Sequence, residues 1–341
     1  MSKFNYALIV IILIECLCFD SFTYASEIYF VARDNTPLSD IEKILSNTEV
    51  DGVTFYISWR SIEPQKGVLR WDGVDSVFAL ARANNKKVNV AILPGRWIPA
   101  WVYEENGVKA VNYLHANTLM GYTEKRYTVV EPWNNRMLSL FEDVIVEFSN
   151  KYNNNDTLGY VAITGPSPSN GLETNFPVYR YDDFLKFKFT PAKYINSWKR
   201  MICFFSKIFP NRNLVLALND DIGPKPVRRV IGKEIAIKIK DYAITALGDR
   251  LNIMSLAWDP NFLENDIAIE LVNTSPSISV GLQAAQIFSG NRSKIYNIDN
   301  VLSVMKKTCE KIKPKFNEFW IEDQSLLYPY IFRLACKNED N

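Results

Sequence analysis

Residues 53–93 read VTFYISWRSIEPQKGVLRWDGVDSVFALARANNKKVNVAIL. The stretch opens on an apolar run rich in β-branched and aromatic residues, 53–57, and closes on another, 88–93. Such short continuous runs suit strands buried on both faces, as in a parallel sheet. Between them, 74–83 is amphipathic at helical spacing. Two strands joined through a helix cannot form a hairpin, so this unit reads as a parallel crossover.

Outward from this unit the alternation continues along the chain. Upstream, 28–32 reads as a strand and 39–45 as a helix, with Ser39 as N-cap and Glu42 at the capping-box position. Downstream, strands are expected at 158–164, 214–218, 251–257, 278–282 and 316–321. Helices are expected at 135–152, 191–209, 232–247, 264–272 and 298–312, with Pro191 in a first turn where its missing N–H costs nothing. Long excursions, 94–132 and 165–190, follow the third and fourth strands. Eight strand–helix units predict an α/β fold, a (β/α)8 TIM barrel with long loops after strands 3 and 4. An open doubly wound sheet would carry a Gly-rich phosphate turn after the first strand, and none is present.

The first residues carry the marks of an export signal. Lys3 precedes the apolar run ALIVIILI at 7–14, and Thr23-Tyr24-Ala25 offers small residues at −3 and −1. The run is shorter than the ~18–20 residues of a membrane span. The reading is a signal peptide over 1–25, cleaved before Ser26, and one barrel domain over 26–341 in a secreted or periplasmic protein. With 39 basic and 38 acidic side chains, net charge is +1, which gives no field suited to nucleic acid or an anionic membrane. Cys203, Cys309 and Cys336 follow the expected cleavage point; their spacing fits no zinc site and leaves packed thiols or one disulfide. His115 is the single histidine and has no nucleophile-elbow sequence to serve, so it reads as a loop residue, and no metal or cofactor is expected.

In such barrels the reactive groups gather on loops after the strands. The second strand runs into W-R-S-I-E-P-Q-K-G-V-L-R-W-D (59–72), the third into P-G-R-W-I-P-A-W-V (94–102), and Trp133 follows Pro132. These segments resemble the W-x2-(I/L)-E-P signature, the G-x3-P-x-W segment and the proline–tryptophan element of clan-A glycoside hydrolases, the β-galactosidase- and cellulase-like barrels. The resemblance implies a carbohydrate at the mouth, an acid/base glutamate after the fourth strand and a nucleophile glutamate ending the seventh. Glu173, in I-T-G-P-S-P-S-N-G-L-E (163–173), takes the first place, with Leu172 where those proteins carry Asn. At the second stands Gln283, an amide that can neither attack an anomeric carbon nor stabilise an oxocarbenium-like state by charge.

Glu322 is the candidate replacement, because period-two alternation puts it on one strand face with Glu318 and Trp320. Glu318 lies deeper and reads as a buried structural acid; Glu63, before Pro64, reads as a local cap. Trp59, Trp97, Trp101, Trp258 and Trp320 fall at strand ends, where aromatic planes stack on sugar rings. Arg96, Asn219, Asp259 and Gln283 are candidate partners for sugar hydroxyls. Two readings stand: a glycoside hydrolase working by acid/base hydrolysis, and a non-catalytic carbohydrate-binding barrel that has lost its nucleophile. An extracellular scaffold without a sugar ligand is a third.

Overall fold

The computed structural model describes residues 25–115, 125–224, 228–273, 276–289 and 297–337, so the expected export segment up to residue 24 lies outside it. Strands are numbered along the described chain: β1 (Glu27–Arg33), β2 (Gly52–Ser58), β3 (Lys87–Leu93), β4 (Ala110–His115), β5 (Lys125–Val130) and β6 (Leu158–Ala162), then β7 (Phe176–Val178), β8 (Leu214–Ala217), β9 (Ile222–Pro224), β10 (Leu251–Trp258), β11 (Ser279–Ala284) and β12 (Phe316–Trp320). Eight of them close a barrel in the order β1-β12-β11-β10-β8-β6-β3-β2. Every neighbouring pair is parallel. The (β/α)8 architecture read from the sequence is the one observed.

Local chemistry explains the units. All seven residues of β2 are buried, as a strand walled by barrel interior and outer helices must be. The helix Asn135–Tyr152 buries Leu138, Phe141, Val144, Ile145 and Phe148 on one face, and the Asn134 side chain accepts from Met137 N–H at its start. Thr190 does the same for Pro191–Ile208. Ser39 does not cap: that helix begins at Leu38, directly after Pro37, whose fixed φ of −57° launches the first turn. No described helix is long and apolar enough to cross a membrane.

The two excursions after the third and fourth barrel strands are not plain loops. They supply β4, β5 and β7, which join β9 in a four-stranded sheet ordered β5-β4-β7-β9. This sheet comes from the segments after β3, β6 and β8, and so stands on the C-terminal side of the barrel.

The interior is packed rather than open. The Tyr160 and Phe316 rings lie 5.2 Å apart, and a Cβ on Gly281 would sit 2.0 Å from the Phe316 ring. Amid these groups Glu318 is fully buried. Its carboxylate accepts from Thr54 Oγ1 at 2.5 Å, from Tyr160 OH and from Gln283 Nε2 at 2.7 Å. At the opposite end from the mouth, Cys309 and Cys336 form a disulfide, and Cys203 is free and exposed. Ser26 N–H donates to Ala335 O at 2.7 Å, which seats the last described turns against the start of β1.

Candidate active site at the barrel mouth

The C-terminal ends of the barrel strands surround a cavity of about 570 Å³. Its wall is assembled strand by strand. Arg33 ends β1 and Asp34 follows it; Tyr56, Ser58 and Arg60 come from β2 and its end; Arg96 and Trp97 follow β3. Asn170, Glu173 and Asn175 follow β6, Asn219 and Asp221 follow β8, Gln283 ends β11 and Trp320 ends β12. His115, at the end of β4, joins the wall from the accessory sheet rather than from a loop.

Glu173 is held by its backbone and by side-chain donors alike. Its backbone pairs with Ala217 beside β8, and Thr174 ties the same segment to Asn219 through bonds of 2.8 and 2.9 Å. The preceding turn is fixed by Asn170 Oδ1, which accepts from the N–H groups of Leu172 and Glu173. Gly171, at φ +75°, presses against Pro94, where a Cβ would meet the ring at 2.5 Å. The loops after β3 and β6 are thereby locked together. Three amides then aim at the carboxylate: Asn170 Nδ2 and Asn175 Nδ2 donate to Oε2 at 3.0 Å each, and Asn219 Nδ2 donates to Oε1 at 2.8 Å.

Burial pushes the Glu173 carboxyl above the usual carboxylate range, and the nearby Asp221 charge adds to the rise; the three amides favour the ionised form and pull the other way. One edge of the residue remains open to the cavity. A carboxyl group in this setting can hold a proton, present it to a bound molecule and return to the same geometry afterwards.

The seventh barrel strand carries no carboxylate into the cavity. Gln283 Nε2 donates to Tyr56 OH at 2.5 Å and to Glu318 at 2.7 Å, so the amide bridges the wall to the buried acid below. Burial raises Glu318 as well, opposed by its three donors. Asp34 offers another carboxylate at the mouth. Its Oδ2 accepts from Ser58 N–H at 3.0 Å, Ser58 Oγ at 2.6 Å and Ser61 Oγ at 2.6 Å.

Of the residues singled out by sequence, Glu173, Arg96, Trp97, Asn219, Gln283 and Trp320 meet around this one cavity. Five others do not line it. Trp59 is fully buried and donates its indole N–H to Glu63 Oε2 at 3.0 Å, because the chain turns into the helix Trp59–Ile62 as soon as β2 ends. Trp101 packs edge-on against Trp59 and donates to Glu63 O. With Gly67 N–H on Glu63 Oε1, the W-x2-I-E-P block is a packing knot around a capping glutamate. Trp258 is buried because an irregularity in β10 between Ser255 and Trp258 changes its facing; its indole donates to Thr308 on the outer helix. Asp259 caps the turn at Asn261 N–H outside the wall. Glu322 is turned away because β12 stops at Trp320 and a 3-10 turn, Ile321–Asp323, breaks the alternation; its carboxylate pairs with Arg33 at 3.0 Å.

The two tryptophans that do line the cavity each carry a guanidinium over the ring, Arg33 at 4.2 Å from Trp320 and Arg96 at 4.5 Å from Trp97. Sequence reasoning passed over Asp34, Arg60 and Asn175. Asp34 stands directly beyond β1, a signal that inspection of that strand end would catch, whereas Arg60 lies within the W-R-S-I-E-P run and reads there only as part of the motif. Asn175 has no such mark, since its place depends on how the segment after β6 folds back.

No protein-family model matches the sequence, and no curated protein does either. Similarity to solved structures is extensive. The catalytic domain of β-amylase from Paenibacillus polymyxa aligns over 92% of this chain and 99% of its own, with a TM-score of 0.63 at 9% identity. A β-galactosidase from the psychrophilic Marinomonas ef1 aligns over 86% of this chain and 53% of its own, at TM-score 0.51 and 10% identity. The xylanase XynB from Paenibacillus barcinonensis aligns over 86% of this chain and 83% of its own, at TM-score 0.50 and 11% identity. At such identities the likeness is one of fold, and the shared fold is the (β/α)8 barrel.

Proposed function

We propose that this protein is an exported glycoside hydrolase that binds a carbohydrate in the mouth cavity and uses Glu173 as its general acid. The observation that carries the reading is Glu173 itself, raised by burial, aimed by three asparagine amides and open to the cavity. A carboxyl raised in this way keeps its proton where an ordinary one has lost it, as protonation of a glycosidic oxygen requires. As its partner we propose Asp34, a second carboxylate of the cavity wall. Water attacks the anomeric carbon while Asp34 takes its proton; the bond to the leaving oxygen breaks and Glu173 supplies that oxygen with a proton. This is an inverting displacement. The names of the structural neighbours, a β-amylase, a β-galactosidase and a xylanase, support a carbohydrate as the ligand. The Cys309–Cys336 disulfide supports export, since such bonds persist mainly outside the cytosol.

A second reading, a carbohydrate-binding barrel without catalysis, is favoured by Gln283, whose amide is committed to Tyr56 and Glu318. A panel of aryl glycosides and oligosaccharides separates the two. We expect turnover of at least one, a fall of about 10²–10⁴-fold in kcat for Glu173→Gln with binding kept, and a comparable fall for Asp34→Asn. Turnover would decline as pH rises through the raised Glu173 value, and this alkaline limb should vanish in Glu173→Gln. Binding on a glycan array with no turnover of any glycoside by the native protein would give the site to the second reading.

A further inference from the structure

Among the described residues, three guanidinium groups stand on one arc of the mouth, with Asp34 as the one carboxylate among them. Arg33, Arg60 and Arg96 enter the cavity wall from the ends of β1, β2 and β3, which are consecutive around the barrel. Glu173, Asp221 and the asparagine amides enter from the segments after β6 and β8, the next two strands round the ring. Of the three arginines, only Arg33 is ion-paired among the described residues, and its partner Glu322 stands outside the cavity wall. Arg60 is exposed at the mouth. Arg96 is half-buried between two rings, 4.5 Å from the centre of Trp97 and 5.2 Å from that of Tyr127, and spends one N–H on Tyr127 OH at 3.1 Å.

A guanidinium that packs against aromatic rings and spends one N–H on a hydroxyl keeps further N–H groups for carboxylate or sulfate oxygens, which it can grip in pairs. Half-burying such a charge without an anion is unfavourable, and a ligand that supplies the anion removes that cost. The site's own carboxylates do not supply it. Asp34 spends Oδ2 on Ser58 and Ser61, and Glu173 is bound to asparagines.

We propose that the cavity is built for an anionic glycan, one whose sugar carries a carboxylate or a sulfate, with that group on Arg60 and Arg96 and the adjoining linkage against Glu173. The proposal rests on the carbohydrate-binding reading above and names its substrate class. Binding of matched probes to the native protein, followed by calorimetry, tests it: trigalacturonate against its methyl ester, and a heparin-derived tetrasaccharide against its desulfated form.

We expect the acidic member of at least one pair to bind about tenfold or more tighter than its neutral twin. Which pair responds tells carboxylate from sulfate. The preference should weaken with added salt and collapse in Arg96→Gln and in Arg60→Gln, the latter exposed enough to leave folding intact. Equal affinity for both members of each pair would overturn the anionic class while leaving carbohydrate binding standing, as would a preference that survives both substitutions. Absence of binding by all four probes and by neutral oligosaccharides would remove the carbohydrate reading and this inference together.

Discussion

Glu173 and Glu318 show how one chemical group takes different work from its surroundings. Glu173 meets amides and an open edge, whereas Glu318 meets only barrel interior, with Gln283 bridging Glu318 to Tyr56 in the wall. Because burial raises Glu318, the folded state holds its proton more tightly than the unfolded chain does. Its contribution to stability is therefore fully present below the ordinary glutamate value and is lost as pH rises through the folded one. The isosteric Glu318→Gln variant removes this dependence. Its melting temperature should exceed that of the native protein by a few degrees near pH 8, with the gap shrinking toward pH 4; an equal drop at both pH values would show the carboxylate to be a net stabilising acceptor instead. The buried glutamate was legible from alternation along its strand. Glu322 was misplaced by the same rule, because alternation ends where the strand does and a tight turn sends the next side chain to Arg33.

Strand and helix spans were readable because buried parallel strands leave continuous apolar runs and amphipathic helices leave their own period. What lay beyond the reading was facing at the last residue of a strand. The irregularity in β10 carries Trp258 outward, and the immediate helical turn after β2 carries Trp59 into the core. Neither event has a sequence mark of its own. The excursions after β3 and β6 also concealed a sheet, since β7 and β9 are three residues each and signal nothing alone. Their coupling is testable at Gly171. Alanine there would combine strain at φ +75° with a clash against Pro94, while Gly67, also at φ +75°, has open space for a Cβ. Gly67→Ala should cost about 1 kcal/mol and Gly171→Ala about 1–3 kcal/mol more. Thermal melts report the difference, and amide exchange at Leu172 and Glu173 should rise only in Gly171→Ala. Equal costs in the two variants would mean that the loops are not locked.

At the level of the whole molecule, a closed ring of parallel strands separates stability from chemistry, with packing below and interchangeable side chains at the mouth. The seam of that ring is where the strand order returns on itself, β1 beside β12, and there Ser26 donates to Ala335. One consequence concerns connectivity rather than contacts. A barrel whose first and last described turns touch has no privileged starting point, so its backbone can be rejoined at the seam and reopened elsewhere. The turn at Asn84-Asn85, exposed at Asn85, lies between the helix Asp72–Ala83 and β3 on the face away from the mouth. A circular permutant that begins at Asn85, with a short Gly/Ser bridge from residue 337 to residue 26, should keep a cooperative melt and unchanged affinity for whichever probe the native protein binds. Loss of the cooperative melt would show that the order of synthesis, and not only the closed ring, is required for this fold.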